Sequence, residues 1–84
     1  MKLINNLRNY ILEDNFKLVF INNKINIVNY ISVIHFDSDL IKIKYSDGIV
    51  SIKGSNLIIS RLLNDELLIE GIISNIEIRW FYER

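Results

Sequence analysis

An 84-residue chain without cysteine has room for one domain and excludes disulfides, thiolate metal sites and a cysteine nucleophile. Ten basic and ten acidic residues cancel to a formal net charge of zero, so the composition carries no electrostatic footprint for a polyanion. Half of the residues are apolar, isoleucine foremost, which excludes a disordered chain and favours strands, because β-branched side chains suit a pleated surface.

Leu3, Ile4, Leu7, Tyr10 and Ile11 recur at helical spacing, and the spacing predicts a short amphipathic helix within residues 1–13. A helix of that length does not hold in water unaided. Its stripe of Leu3, Leu7 and Ile11 is expected to dock on the sheet, on a partner or on a membrane surface. From Phe16 the period changes to two: Lys17 to Ile21 reads as a strand, Asn22-Asn23 as a turn, and Ile25 and Ile27 as the return strand of a hairpin. Asn29 to Phe36 carries apolar residues on both parities, which predicts a bulge near Asn29 and Tyr30.

Asp37-Ser38-Asp39 has turn chemistry, because short polar side chains can bond their own backbone. Ile41, Ile43 and Tyr45 then alternate with Lys42 and Lys44, the pattern of a half-buried strand. Ser46-Asp47-Gly48 is a hairpin signal, since Asp-Gly accepts positive φ, and the strand after it, Ile49 to Lys53, is expected to run antiparallel to the one before. Val50, Ile52, Gly54, Leu57 and Ile59 form one strand-glycine-strand unit, and Leu67, Ile69, Gly71, Ile76 and Ile78 form a second, with the polar turn Asn64-Asp65-Glu66 between them. Ile76, Ile78, Trp80 and Tyr82 share a parity in a long last strand, leaving Phe81 on the opposite one.

The fold expected is a single mostly β domain over residues 1–84, with the helix at 1–13 and the β part at 16–82. It would be a small curled antiparallel sheet, or a barrel or roll, of about seven or eight short strands. A core of this size hides only about 60% of the unfolded chain's surface, so self-association or a partner is a natural supplement.

Chemistry finds little support. His35, the one histidine, lies between Ile34 and Phe36 without a nucleophile beside it, and reads as a strand residue with a satisfied hydrogen bond. Asp37 and Asp39 are two carboxylates where a hard-metal loop needs more oxygen ligands. Gly48, Gly54 and Gly71 are too widely spaced for a phosphate-cradling loop. The expectation is therefore no enzyme, no cofactor and no metal. Trp80-Phe81-Tyr82 closes the core or anchors a protein partner. With the helix stripe, this makes Leu3, Leu7, Ile11, Trp80 and Phe81 the candidate partner-binding residues. The alternative is a small β-barrel that binds a ligand or single-stranded nucleic acid, for which Lys42, Lys44 and Lys53 would form a basic patch.

Several stretches together resemble the YabP/YqfC family of small sporulation proteins. They are Ile25-Asn26-Ile27, Ser32-Val33-Ile34-His35-Phe36, Ile41-Lys42-Ile43, the run from Gly48 to Ile59, and the run from Leu63 to Ile73. The resemblance covers about residues 17–79, and the acidic turn before Leu67-Leu68-Ile69-Glu70-Gly71 leans toward the YqfC branch. It implies a non-catalytic protein made in the mother cell of an endospore former. Such a protein would act as a structural or adaptor module of the spore envelope, through contacts with a membrane protein of the sporulation programme or with a second copy of itself. No apolar run approaches the roughly 18 residues that cross a bilayer, and the N-terminus lacks a secretory signal's apolar block. A cytoplasmic location in the mother cell follows as the expectation, peripheral at the forespore membrane.

Overall fold

The computed structural model describes the backbone at residues 2–4, 9–13 and 15–81, and the side chains at 15–81. Eight strands are described: β1 (Lys2–Ile4), β2 (Asn9–Glu13), β3 (Lys17–Ile21), β4 (Lys24–Val28), β5 (Ser32–Phe36), β6 (Leu40–Tyr45), β7 (Gly48–Leu62) and β8 (Glu66–Trp80). All pairings are antiparallel, in the order β2-β3-β4-β8-β7-β6-β5, with β1 also on β8. The sheet is open, with β2 and β5 at the two ends of that order.

The β7–β8 hairpin is the spine. Along one side of β8 runs β7; along the other, β4 takes residues 66–70 and β1 takes residues 76–78. The register between β7 and β8 shifts at Lys53/Gly54, Ser55/Ile58 and Ile59/Arg61, which bends the spine in its middle. Two glycines permit the bend. Gly71 has φ +145°, and a side-chain carbon there would sit 2.7 Å from the carbonyl oxygen of Asn56. At Gly54 such a carbon would run into the carbonyl oxygen of Ile72.

Parity follows the bend. Val50 and Ile52 are buried on even positions of β7 and Leu57 on an odd one; Leu67, Ile69 and Ile73 are buried on odd positions of β8 and Ile76 and Ile78 on even ones. Each shift thus returns the apolar side chains to the same face. No helix is present among the described residues, so this face is covered by the sheet folding over on itself. Leu18, Ile25 and Ile27 from one half meet Ile41, Ile43 and Ile78 from the other in one cluster, all at 0% exposure. No polar or charged residue is buried among the described residues.

Local signals act as the sequence predicts at several points. Asn22 and Asn23 take φ 53° and 61° and close the β3–β4 hairpin as a tight turn of left-handed residues. Asn29, with φ 65°, turns the chain out of β4, but the bulge expected near Asn29 and Tyr30 lies further on, in β5 between Val33 and His35.

Three further expectations are corrected. The helix over residues 1–13 is not seen: Lys2–Ile4 and Asn9–Glu13 are strands, and residues 5–8 lie outside the described residues. An isolated helix of that length gains little, whereas β3 and β8 each offer a strand side where the backbone can pair. The strands are not uniformly short, because each strand-glycine-strand unit is one continuous bent strand of 15 residues. The β6–β7 turn falls on Ser46 and Asp47, with Gly48 already the first residue of β7 and no positive φ at Asp47 or Gly48.

Candidate interaction surfaces

The end of the sheet at β5 is built by the chain that leads into it. Asn29 N donates to Asp65 O at 2.6 Å, Tyr30 Oη donates to Leu63 O at 2.5 Å, and Ile31 N donates to Lys44 O at 2.8 Å. These bonds carry the chain from β4, past the tip of the spine, to the far side of β6. There β5 packs beside β6 alone among the described strands. Val33 faces the core, but Ile31, Ile34 and Phe36 stay 58%, 47% and 53% exposed.

The turn after β5 holds the histidine and the two aspartates. Asp37 Oδ1 accepts from Asp39 N at 3.1 Å and Leu40 N at 2.9 Å, while Asp37 Oδ2 lies 2.8 Å from His35 Nε2. A hydrogen bond with the Asp39 side chain, and then the one with His35, hold the Asp37 carboxyl far below the usual range. The same side-chain bond, with the charge of Asp37, raises Asp39. The backbone of this turn straps the bent spine: Ser38 O accepts from Leu57 N at 2.9 Å and Asp39 O from Gly54 N at 3.1 Å.

Beside the turn, a shallow groove brings His35, Asp37, Lys53 and Ser74 together. Its polar groups serve the fold. Ser74 Oγ donates to Lys53 O at 3.1 Å, so the hydroxyl is not paired with the imidazole as a nucleophile is with its base. Among the described residues, no group of three or more carboxylate, histidine or cysteine side chains could hold a metal ion.

The outer face of the half-sheet built on β6 is different in charge. Register aligns Lys44, Ile49 and Arg79 in one row, Lys42, Ser51 and Glu77 in the next, and Leu40, Lys53 and Asn75 in the third. Four cations thus share this face with one carboxylate, and none of the four forms an ion pair with a described residue. Between them a groove is lined by Ile34, Lys42, Ile49, Ser51, Glu77 and Arg79. The other half-sheet is balanced: Lys24 pairs with Glu70 at 3.8 Å, and Asn26 Nδ2 donates to Glu66 Oε1 at 2.9 Å.

The residues singled out from the sequence do not form one site. Register places Leu3 opposite Glu77 and Ile11 opposite Val19, on different strands, and Leu7 lies outside the described residues, so no shared helical stripe exists. Trp80 ends β8, half-buried against the core, while Phe81 follows it, 49% exposed, with its amide donating to Asp47 O at 2.8 Å. Lys42, Lys44 and Lys53 do share a face, and Arg79 joins them. Sequence reasoning missed Arg79, which only the β7–β8 register brings there, and missed the exposed edge residues Ile34 and Phe36. The apolar residues on both parities around His35 were the available signal.

The sequence profile of the YabP family matches residues 13–79. No curated protein and no solved structure matches significantly.

Proposed function

Because the chain belongs to the YabP family, whose membership suggests a sporulation-related protein, we propose that it is a non-catalytic adaptor in development of the spore envelope, acting through protein contacts. The observation that carries this reading is the edge strand β5. Ile31, Ile34 and Phe36 stand exposed along one short segment, and exposed apolar residues gathered in this way mark an interaction surface. Phe81 is a second exposed anchor. The turn chemistry of His35 and Asp37, and the hydroxyl of Ser74 spent on a carbonyl, support a role without catalysis.

The place of action under this reading is the mother-cell side of the forespore membrane, with the protein held peripherally by a membrane-protein partner. No helix among the described residues is long and apolar enough to cross a membrane.

The test is a complemented deletion in an endospore-forming host. Ile34→Ser with Phe36→Ser should lower the yield of heat-resistant spores while the purified variant keeps its melting temperature. An unchanged yield, with Phe81→Ser added and the protein present at normal level, would sink the reading.

The four-cation face is the specific observation that favours single-stranded nucleic acid instead. Base stacking needs aromatic platforms on that face, however, and Tyr45 is buried while Trp80 packs on the core. Salt-sensitive binding of an oligothymidylate to this face would favour that reading.

A further inference from the structure

We propose that β5 accepts one further antiparallel or parallel strand from a partner protein, and that the side chains of this strand alternate between acidic and apolar. This rests on the adaptor reading and states what kind of segment the adaptor holds.

The backbone supplies the first reason. β5 has β6 on one side and no described strand on the other, so its outward amides and carbonyls form a row on which an extended segment can pair. The segment Ser32–Phe36 has no proline, lysine or carboxylate to discourage such pairing. The bulge between Val33 and His35 interrupts the row and fixes the register, which favours a dedicated partner over indiscriminate edge pairing.

The side chains supply the second. An added strand continues both faces of the sheet, residue by alternate residue. On the inner face it meets Phe36, opposite the core residue Ile41 yet 53% exposed, which an apolar side chain would cover. On the outer face it meets His35 and, one strand further, Lys42 and Lys44, neither of which has an ion-pair partner among the described residues. Two strand spacings amount to about 10 Å, a gap that a glutamate and a lysine side chain span together. Carboxylates outward and apolar groups inward is the pattern that complements both faces.

A second copy of this chain fits less well. Its own β5 brings no carboxylate and would set another Lys42 and Lys44 on the same face, and β2 at the other end carries only Glu13. A lipid surface would leave the backbone row unused and would meet Glu77 in the middle of the basic face.

The experiment is a titration of the intact, isotope-labelled protein with an alternating Glu-Val peptide of about seven residues, long enough for one strand, followed by backbone amide shifts. A Lys-Val peptide and phosphatidylglycerol vesicles are run beside it. The proposal expects shifts centred on residues 31–36, binding that weakens with salt, and a loss of about tenfold in affinity for Lys42→Glu with Lys44→Glu. The same variant should come to prefer the Lys-Val peptide. Absence of shifts at millimolar peptide, equal shifts with the two peptides, or shifts confined to the outer face of β7 and β8 would each overturn it. So would vesicle binding lost in the lysine variant while the Glu-Val peptide has no effect. If spore yield still depends on Ile34 and Phe36 when the peptide fails, the adaptor reading stands and this inference alone falls.

Discussion

Phe16 and Tyr45 stack with ring centroids 4.1 Å apart and planes 20° from parallel, joining the entry to β3 with the end of β6. These two strands belong to opposite halves of the folded sheet, and no backbone ladder links them directly. The stack is therefore a side-chain tie between the halves. In a double-mutant cycle with Phe16→Leu and Tyr45→Leu, the coupling should be about 0.5–1.5 kcal/mol, measured by urea unfolding.

The bend of the spine makes a sharper prediction. Gly71→Ala adds a carbon 2.7 Å from Asn56 O at a residue with φ +145°, so it should destabilise the domain by at least about 2 kcal/mol. Ser74→Ala, three residues along the same strand, removes only an exposed hydroxyl bond and should cost about 1 kcal/mol or less. Equal losses in thermal unfolding would show that the bend tolerates a side chain.

Exposure separates fold from surface. Phe36→Ser should change stability by no more than about 0.5 kcal/mol, because its ring lies half in water at the sheet's end. Ile69→Ala, at 0% exposure, should cost about 2–5 kcal/mol. Denaturant midpoints of the two variants check both values.

The aspartate pair predicts an acid-side signature. Asp39 has its folded value raised above the ordinary 3.8, so its contribution is fully present below 3.8 and is lost as pH rises through the raised value. Asp37 is lowered, so its contribution is present above 3.8 and is lost as pH falls toward its depressed value. Asp39→Asn should therefore remove a gain in stability that the native protein shows as pH falls toward 3.8. Asp37→Asn should remove the loss below it. Urea midpoints across the acid range, with carboxyl carbon shifts to assign each titration, test this sign by sign.

Much of the inner face was legible from period two alone. Val50, Ile52, Leu57, Leu67, Ile69, Ile76 and Ile78 are the buried residues of the spine that alternation marked out, and Gly54 and Gly71 stand where it breaks. Residues 1–13 were misread for a physical reason: Leu3, Ile4, Leu7 and Ile11 suit a helical stripe, yet a free strand side decides the matter, and its presence is a property of the whole sheet. The basic face was half legible. Lys42 and Lys44 share it by strand period, and Lys53 follows from the Ser46-Asp47 hairpin, but Arg79 arrives only through a register shifted by three irregularities. The open edge at β5 left only one trace, the apolar residues on both parities around His35, since strand order is not written in local pattern.

Those three irregularities carry a consequence for alignment. In an isoleucine-rich hairpin with 15 residues on each side, a slip by two residues would still set isoleucine against isoleucine, and with no polar residue buried there would be no unpaired group to penalise it. The bulges remove that degeneracy, because an extra residue or a glycine at the bend fits its counterpart at one offset only. In this protein the isoleucines make the strands adhere, and the defects in the ladder tell them where.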